Sequence, residues 1–165
     1  MEVTSIVFWL VILALVIYVI AIYNTLVKLK NRYQNAFAQI EVQLKRRHDL
    51  IPNLVETVKG YMSHERETLE REVEMRNVAM GNQGSAESQG RDESQLGLAM
   101  KTLFAVVEGY PQLKSDANFR VLQEELAITE DRIAAARRFF NNAVQEFNTA
   151  IQQIPGNLVA PLGGF

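Results

Sequence analysis

Near its start the chain carries an unbroken apolar run. Ile6 to Tyr23 reads IVFWLVILALVIYVIAIY, eighteen residues with no charge and no polar break except the tyrosine hydroxyls. As a helix this run spans about 27 Å, close to the thickness of a bilayer's hydrocarbon core. Trp9 and Tyr23 stand near its two ends, where amphipathic rings favour the headgroup level. The residues before it, Met-Glu-Val-Thr-Ser, hold no Lys or Arg, and the run passes into Tyr-Asn-Thr-Leu. A cleaved signal peptide would show a basic start and a small-x-small cleavage site, so the pattern predicts a membrane anchor. Lys28, Lys30 and Arg32 follow the run, with Lys45, Arg46 and Arg47 beyond them. The positive-inside rule then places the N-terminus outside and the rest in the cytoplasm.

Past the apolar run the pattern changes to a stripe. Leu26, Tyr33, Phe37, Ile40 and Leu44 share one helical face, and Ile51, Leu54, Val58 and Tyr61 continue it. From Tyr33 the steps are four and three, the seam of a helix packed against others. Arg47 falls on the stripe between Leu44 and Ile51. Pro52 lacks an amide hydrogen and crowds the carbonyl four residues back, so a break or bend is predicted near residues 48–52, with Asp49 able to cap a restarted helix. A turn at Gly60–Ser63 leads to a charged helix from His64 to Met80, in which Glu67–Arg71 and Glu72–Arg76 have the favourable i,i+4 order. Residues 81–94, GNQGSAESQGRDES, have three glycines and no large apolar side chain and read as a loop. A third helix begins at Gln95 and stops at Gly109-Tyr110-Pro111.

The last helix has the clearest period. Phe119, Leu122, Leu126, Thr129, Ile133, Ala136, Phe140, Ala143, Phe147, Ala150 and Ile154 recur in steps of three and four, with Asp116 as the N-cap. Two long helices with two shorter ones between them predict an all-α fold: an N-terminal transmembrane helix followed by an antiparallel up-and-down four-helix bundle. The domain reading is 1–23 for the N-terminal segment and membrane helix, 24–154 for the bundle and 155–165 for an apolar tail. That tail either packs back along the bundle or offers Leu158, Leu162 and Phe165 to a partner.

Composition narrows the chemistry. The chain has 165 residues, no cysteine, and 17 Lys+Arg against 19 Asp+Glu for a net charge of -2. Thiolate nucleophiles, disulfides and cysteine-ligated metals are excluded, and the acidic balance argues against a nucleic-acid partner. His48 and His64 are the two histidines. His48-Asp49 cannot form a catalytic triad as adjacent residues, since their side chains diverge on a helix and no poised nucleophile is apparent. His64-Glu65 lacks the second histidine of a zinc helix, and no Glu-x-x-His occurs. The glycines of 81–94 are not followed by the Lys-Ser/Thr of a phosphate loop. The reading is therefore no enzyme and no cofactor.

Charge is unevenly spread. Residues 24–60 hold seven basic and three acidic side chains, and residues 61–100 four and eight. Oppositely charged helices that face each other, or that form solvated faces, would account for this split, and Lys45, Arg46, Arg47, His48 and Asp49 form a candidate contact for a protein partner or anionic lipid.

Four blocks, QLKRRHDLIPNLVETVKGYMSHERETLE (43–70), EGYPQLKSDANFRVLQEEL (108–126), TEDRIAAARRFFNNAVQEFN (129–148) and IPGNLVAPLGGF (154–165), closely resemble the LemA family of bacterial proteins. The resemblance implies a single-span inner-membrane protein with a cytoplasmic helical bundle and no established biochemical activity. It places the family's signature positions on Arg46, Arg47, His48, Asp49, Pro52, Asn53, Tyr110, Pro111, Glu124, Glu130, Arg132, Arg137 and Asn141. Phe140 and Phe147 depart from the tyrosines frequent in relatives.

The expectation is a non-catalytic membrane-anchored scaffold, adaptor or assembly subunit. It would meet the bilayer through residues 6–23 and an unidentified membrane or membrane-proximal protein elsewhere, with a homo-oligomer as a related arrangement. A regulatory subunit of a membrane enzyme such as a protease, or a lipid-binding or membrane-remodelling structural protein, are the alternatives.

Overall fold

The computed structural model describes residues 2–165, and among them every regular element is helical. Helix α1 runs from Glu2 to Lys59, α2 from Arg66 to Gly81, α3 from Ala86 to Val107 and the short α4 from Pro111 to Lys114. Helix α5 spans Ala117–Gln152, and α6 (Gly156–Val159) leads into a 3-10 turn over Ala160–Gly163. The chain divides into two compact units, residues 1–40 with 135–165 and residues 41–134.

The first unit pairs the early part of α1 with the late part of α5. Tyr33 packs on Phe147 and Phe37 on Phe140, at ring-centroid distances of 5.2 and 5.6 Å. Arg32 donates to Glu146 at 2.7 Å. Beyond α5 the chain folds back on α1. Val159 and Ala160 are buried with Leu26, and Ile22, Ala150, Ile151 and Phe165 pack around them. Two glycines permit this return. A Cβ on Gly156 would collide with the Ala150 carbonyl oxygen, and Gly164 holds a positive φ of 71°, the left-handed region that L side chains avoid. The closing segment thus packs back through Val159, Ala160 and Phe165, while Leu158 and Leu162 stay exposed.

The second unit has a core drawn from α1, α2, α3, α4 and α5. Ile51, Leu54, Val58, Leu69, Leu96, Leu103, Leu113, Phe119 and Leu126 are among its buried members. Thr129, on the seam of α5, is buried as well, its hydroxyl donating back to the Glu125 carbonyl at 2.8 Å. Asp116 caps α5 as expected: its Oδ1 accepts from the Phe119 amide at 2.9 Å, and that bond leads the effects holding its carboxyl below the usual range.

Two sequence expectations are corrected here. Residues 86–94 are helix, not loop, and only 82–85 separate α2 from α3. Ser85 caps α3 by accepting from the Ser88 amide, and Asn82 ties the turn by donating to Ser88 and Asp92. Ser85 and Asn82 thereby also satisfy the Ser88 and Gly84 amides, which a glycine-rich composition alone would leave to water.

The second correction concerns Pro52. Helix α1 passes through it unbroken, and Asp49 is an exposed mid-helix residue rather than a cap. Pro52 removes the donor that would have served the His48 carbonyl. Arg76 of α2 supplies the replacement, its Nε donating to that carbonyl at 2.6 Å. The i,i+4 pair expected between Glu72 and Arg76 is consequently absent, and the pair that α2 does make is Arg66–Glu70 at 2.6 Å.

Replacing Arg76 by Met is expected to lower stability by about 1–3 kcal/mol, because the His48 carbonyl is left without a donor. In a Pro52→Ala background, where an amide hydrogen returns, the same replacement should cost clearly less. Thermal unfolding of the four proteins, followed by helical circular dichroism, measures the coupling.

Candidate functional site

The second unit buries five polar side chains: Arg47, His48, Glu72, Glu93 and Thr129. Four of them are ionisable and converge. Arg47 sits on the inward stripe of α1 with 2% of its surface exposed. One terminal nitrogen donates to Glu130 of α5 at 2.6 Å, and the other to both the carboxylate and the carbonyl of Glu93 in α3. His48 Nε2 stands 2.6 Å from the second oxygen of Glu93, out of line for a hydrogen bond. Arg46, one residue earlier and on the surface, pairs with Glu125 of α5.

The electrostatics follow from this geometry. Burial alone would push the Glu93 carboxyl up, but the contacts with His48 and Arg47 outweigh it and hold the group below the usual range. Burial likewise works against the Arg47 cation, and the hydrogen bonds to Glu130 and Glu93 reverse it, so its pKa rises. Breaking such a buried pair by deleting one partner typically costs about 3–5 kcal/mol, since the survivor is left charged in a poor solvent.

Glu72 is the exception. Its side chain is fully buried, and neither carboxylate oxygen has a hydrogen-bond donor. Burial raises its pKa to about 7, only partly countered by the Arg47 charge. Arg47 is already shared between two carboxylates, so a third ionised one is poorly compensated, and the group without a donor is the one that takes the proton.

What these groups can do chemically is limited. His48 meets Glu93 through its ring and Arg76 through its carbonyl, and no hydroxyl joins them among the described residues. No group of three or more His, Asp or Glu side chains converges as a metal site among the described residues. The arrangement cross-ties α1, α3 and α5, and it holds no assembled nucleophile and base.

The contact residues singled out from the sequence separate. Arg47 and His48 face inward, occupied as described. Lys45 and Asp49 are exposed, and Arg46 is on the surface but paired. Leu158 is 67% and Leu162 80% exposed, while Phe165 packs against Tyr23 and Phe147 at 5.6 and 6.1 Å. Of the other signature positions, Tyr110 donates to Glu65 at 3.3 Å and Pro111 opens α4. Asn53, Glu124, Arg132 and Asn141 are exposed and Arg137 is partly buried. Sequence reasoning misses Glu93, which lies in the loop-like stretch 81–94, and Glu72, whose spacing to Arg76 matches an i,i+4 pair. Arg47 was the available clue: a guanidinium on an apolar stripe requires buried carboxylates opposite it.

The family model of the LemA family matches residues 36–165, which include every member of this cluster. The chain belongs to the LemA family. The match begins past the apolar run, so the membrane reading of this LemA-family chain stands on the run itself. Protein LemA of Metamycoplasma hominis is 28% identical over 137 residues, covering 83% of this chain and 63% of that protein. Magnetosome protein MamQ 1 of Paramagnetospirillum magneticum is 29% identical over 168 residues, covering 87% and 62%. Magnetosome protein MamQ of Magnetospirillum gryphiswaldense is 27% identical with the same coverage. The chain therefore spans less than two thirds of the length of the curated relatives it matches.

Glu72 gives the site a pH signature. Its folded pKa of about 7 lies above the ordinary carboxylate value, so the folded state holds an extra proton between roughly pH 4.5 and 7 and stability falls as pH rises through that window. Glu93 acts in the opposite sense: its contribution is present above the ordinary carboxylate value and is lost as pH falls through its lowered folded pKa. Glu72→Gln, a neutral mimic of the protonated acid, is expected to stabilise by about 1–3 kcal/mol near pH 8 and by almost nothing near pH 5. Thermal melts of both proteins across that range check it.

Proposed function

We propose that this chain is a membrane-anchored, non-catalytic scaffold or adaptor, an assembly subunit that works through protein contacts. The observation behind this reading is how its side chains are divided. Arg47, His48 and Glu93, the groups best suited to chemistry, are occupied with one another. Most apolar residues from Ile6 to Ile20, by contrast, stand uncovered on a helix long and apolar enough to cross a membrane. A row of bare Leu, Ile, Val, Phe and Trp needs a lipid or protein environment.

In this reading residues 6–23 span a bacterial inner membrane with the N-terminus outside, as the basic flank after the span directs. The core-forming parts of α1, α2, α3 and α5 act as a four-helix bundle in the cytoplasm. An unidentified membrane or membrane-proximal protein, or a second copy of the chain, is the partner, and Lys45, Arg46 and Asp49 supply a charged surface on α1. The names of the relatives, protein LemA and magnetosome protein MamQ, denote no enzyme, in keeping with a structural role.

The test is mild extraction from native membranes with an N-terminal tag, reading complex mass together with quantitative mass spectrometry of what is bound. A reproducible near-stoichiometric partner is expected. If that partner is itself an enzyme, the role becomes that of a regulatory subunit. Recovery of a lone monomer from several mild detergents and from lipid nanodiscs would overturn the adaptor reading.

A further inference from the structure

The strongest unabsorbed feature lies in the first unit, where the chain returns to α1. From Phe147 to Phe165 there are nineteen residues without one charged side chain. One side of the returning segment is fixed: Gly156, Val159 and Ala160 are buried, with Leu26, Ile22, Ala150, Ile151 and Phe165 around the latter two. The opposite side is the unusual one. Ile154, Leu158 and Leu162 are 81%, 67% and 80% exposed. Asn157 is the one polar residue between Ile154 and Leu162. Single exposed apolar residues are ordinary on a protein surface; three within nine consecutive residues, in a stretch without charge, mark the outward side of this segment as apolar.

The level at which this face is held identifies what covers it. Ile154, Pro155 and Gly156 line a crevice with Tyr18, Ala21, Ile22, Thr25 and Leu26. Tyr18 and Ile22 belong to the apolar run, and Tyr18 lies about 7.5 Å inside its end at Tyr23. Gly163 is seated against the Tyr23 ring, with which Phe165 makes an edge contact at 5.6 Å. Above this apolar floor the Lys30 ammonium stands 5.5 Å over the Phe165 ring, a basic head beyond an apolar and aromatic layer, as at a membrane interface. The exposed face is thus continuous with the surface of α1 that the span reading places in lipid.

We infer that residues 154–165 are a second membrane-contacting element, with Ile154, Leu158 and Leu162 lying in the headgroup–acyl boundary of the bilayer that α1 spans. The inference rests on residues 6–23 being the span. Apolar side chains on a short segment that is docked on α1 and has no charged side chain enter that boundary without placing a side-chain charge in it. The segment then widens the single span at one membrane surface and sets the depth at which Tyr23 and Lys30 sit.

The absence of cysteine allows single-site labelling. Nitroxide labels go on Leu158→Cys and Leu162→Cys of the full chain, in vesicles of phosphatidylcholine with phosphatidylglycerol, with Leu13→Cys in the span and Val121→Cys on an exposed face of α5 as references. All four positions are exposed, so labelling spares the core. Collision with oxygen, which concentrates in lipid, is compared with collision with a water-soluble nickel chelate. At 158 and 162 the ratio is expected severalfold above that at 121 and below that at 13. Values equal to those at 121, with 13 still lipid-like, would overturn the inference and leave the span intact. Water-like values at 13 as well would overturn the span reading and the inference together. Shielding of 158 and 162 from both reagents, with spin–spin broadening that fades on dilution with unlabelled protein, would assign the face to a second copy instead.

Discussion

A guanidinium buried on an apolar stripe is the constraint from which the second unit follows. Arg47 occupies a seam position of α1, and its planar fork must be met by carboxylates from other helices. Glu93 of α3 takes one nitrogen and Glu130 of α5 the other. Apolar packing is tolerant of small slides along a helix, whereas a two-pronged ion pair is not. A one-turn shift of α3 or α5 would leave a buried charge alone, so the pair penalises alternatives to the observed register more than it adds to net stability.

The same region resolves a second difficulty, created by Pro52. A proline inside a helix leaves one carbonyl without its amide, and where that carbonyl is partly buried another donor has to come from the protein. Arg76 reaches across from α2 to the His48 carbonyl. Its choice of partner has a consequence for its own helix: Glu72, one turn before it, loses the cation that would otherwise pair with it. The outcome is a fully buried carboxyl poised near neutrality. One backbone defect, one recruited arginine and one displaced acid are therefore parts of a single arrangement.

The first unit is organised by different physics. There the contacts are aromatic and aliphatic, between α1, α5 and the segment that returns after α5. Close backbone approach at Gly156 and a left-handed turn at Gly164 let that segment lie flat on α1. Its exposed apolar residues Ile154, Leu158 and Leu162 find no cover within the unit, although the sequence period that runs along α5 extends to Ile154.

Helical content, the apolar run, the α5 seam and its Asp116 cap were all determined by the sequence alone, because periodicity and capping act between residues a few positions apart. Arg47 was legible too, as an anomaly on the stripe. What only the tertiary structure decided were effects between residues distant in sequence. Glu93 turned from loop residue to buried partner because Ser85 and Asn82 stabilise a helix start that composition obscures. Glu72 turned from paired acid to buried one because α2 packs its Leu69–Glu72–Ala79 face inward, while a carbonyl 24 residues before Glu72 takes up Arg76. Ile154 turned from seam to surface because α5 ends at Gln152 and the chain turns there to pack back on α1, so the helical period that would have kept Ile154 inward is lost.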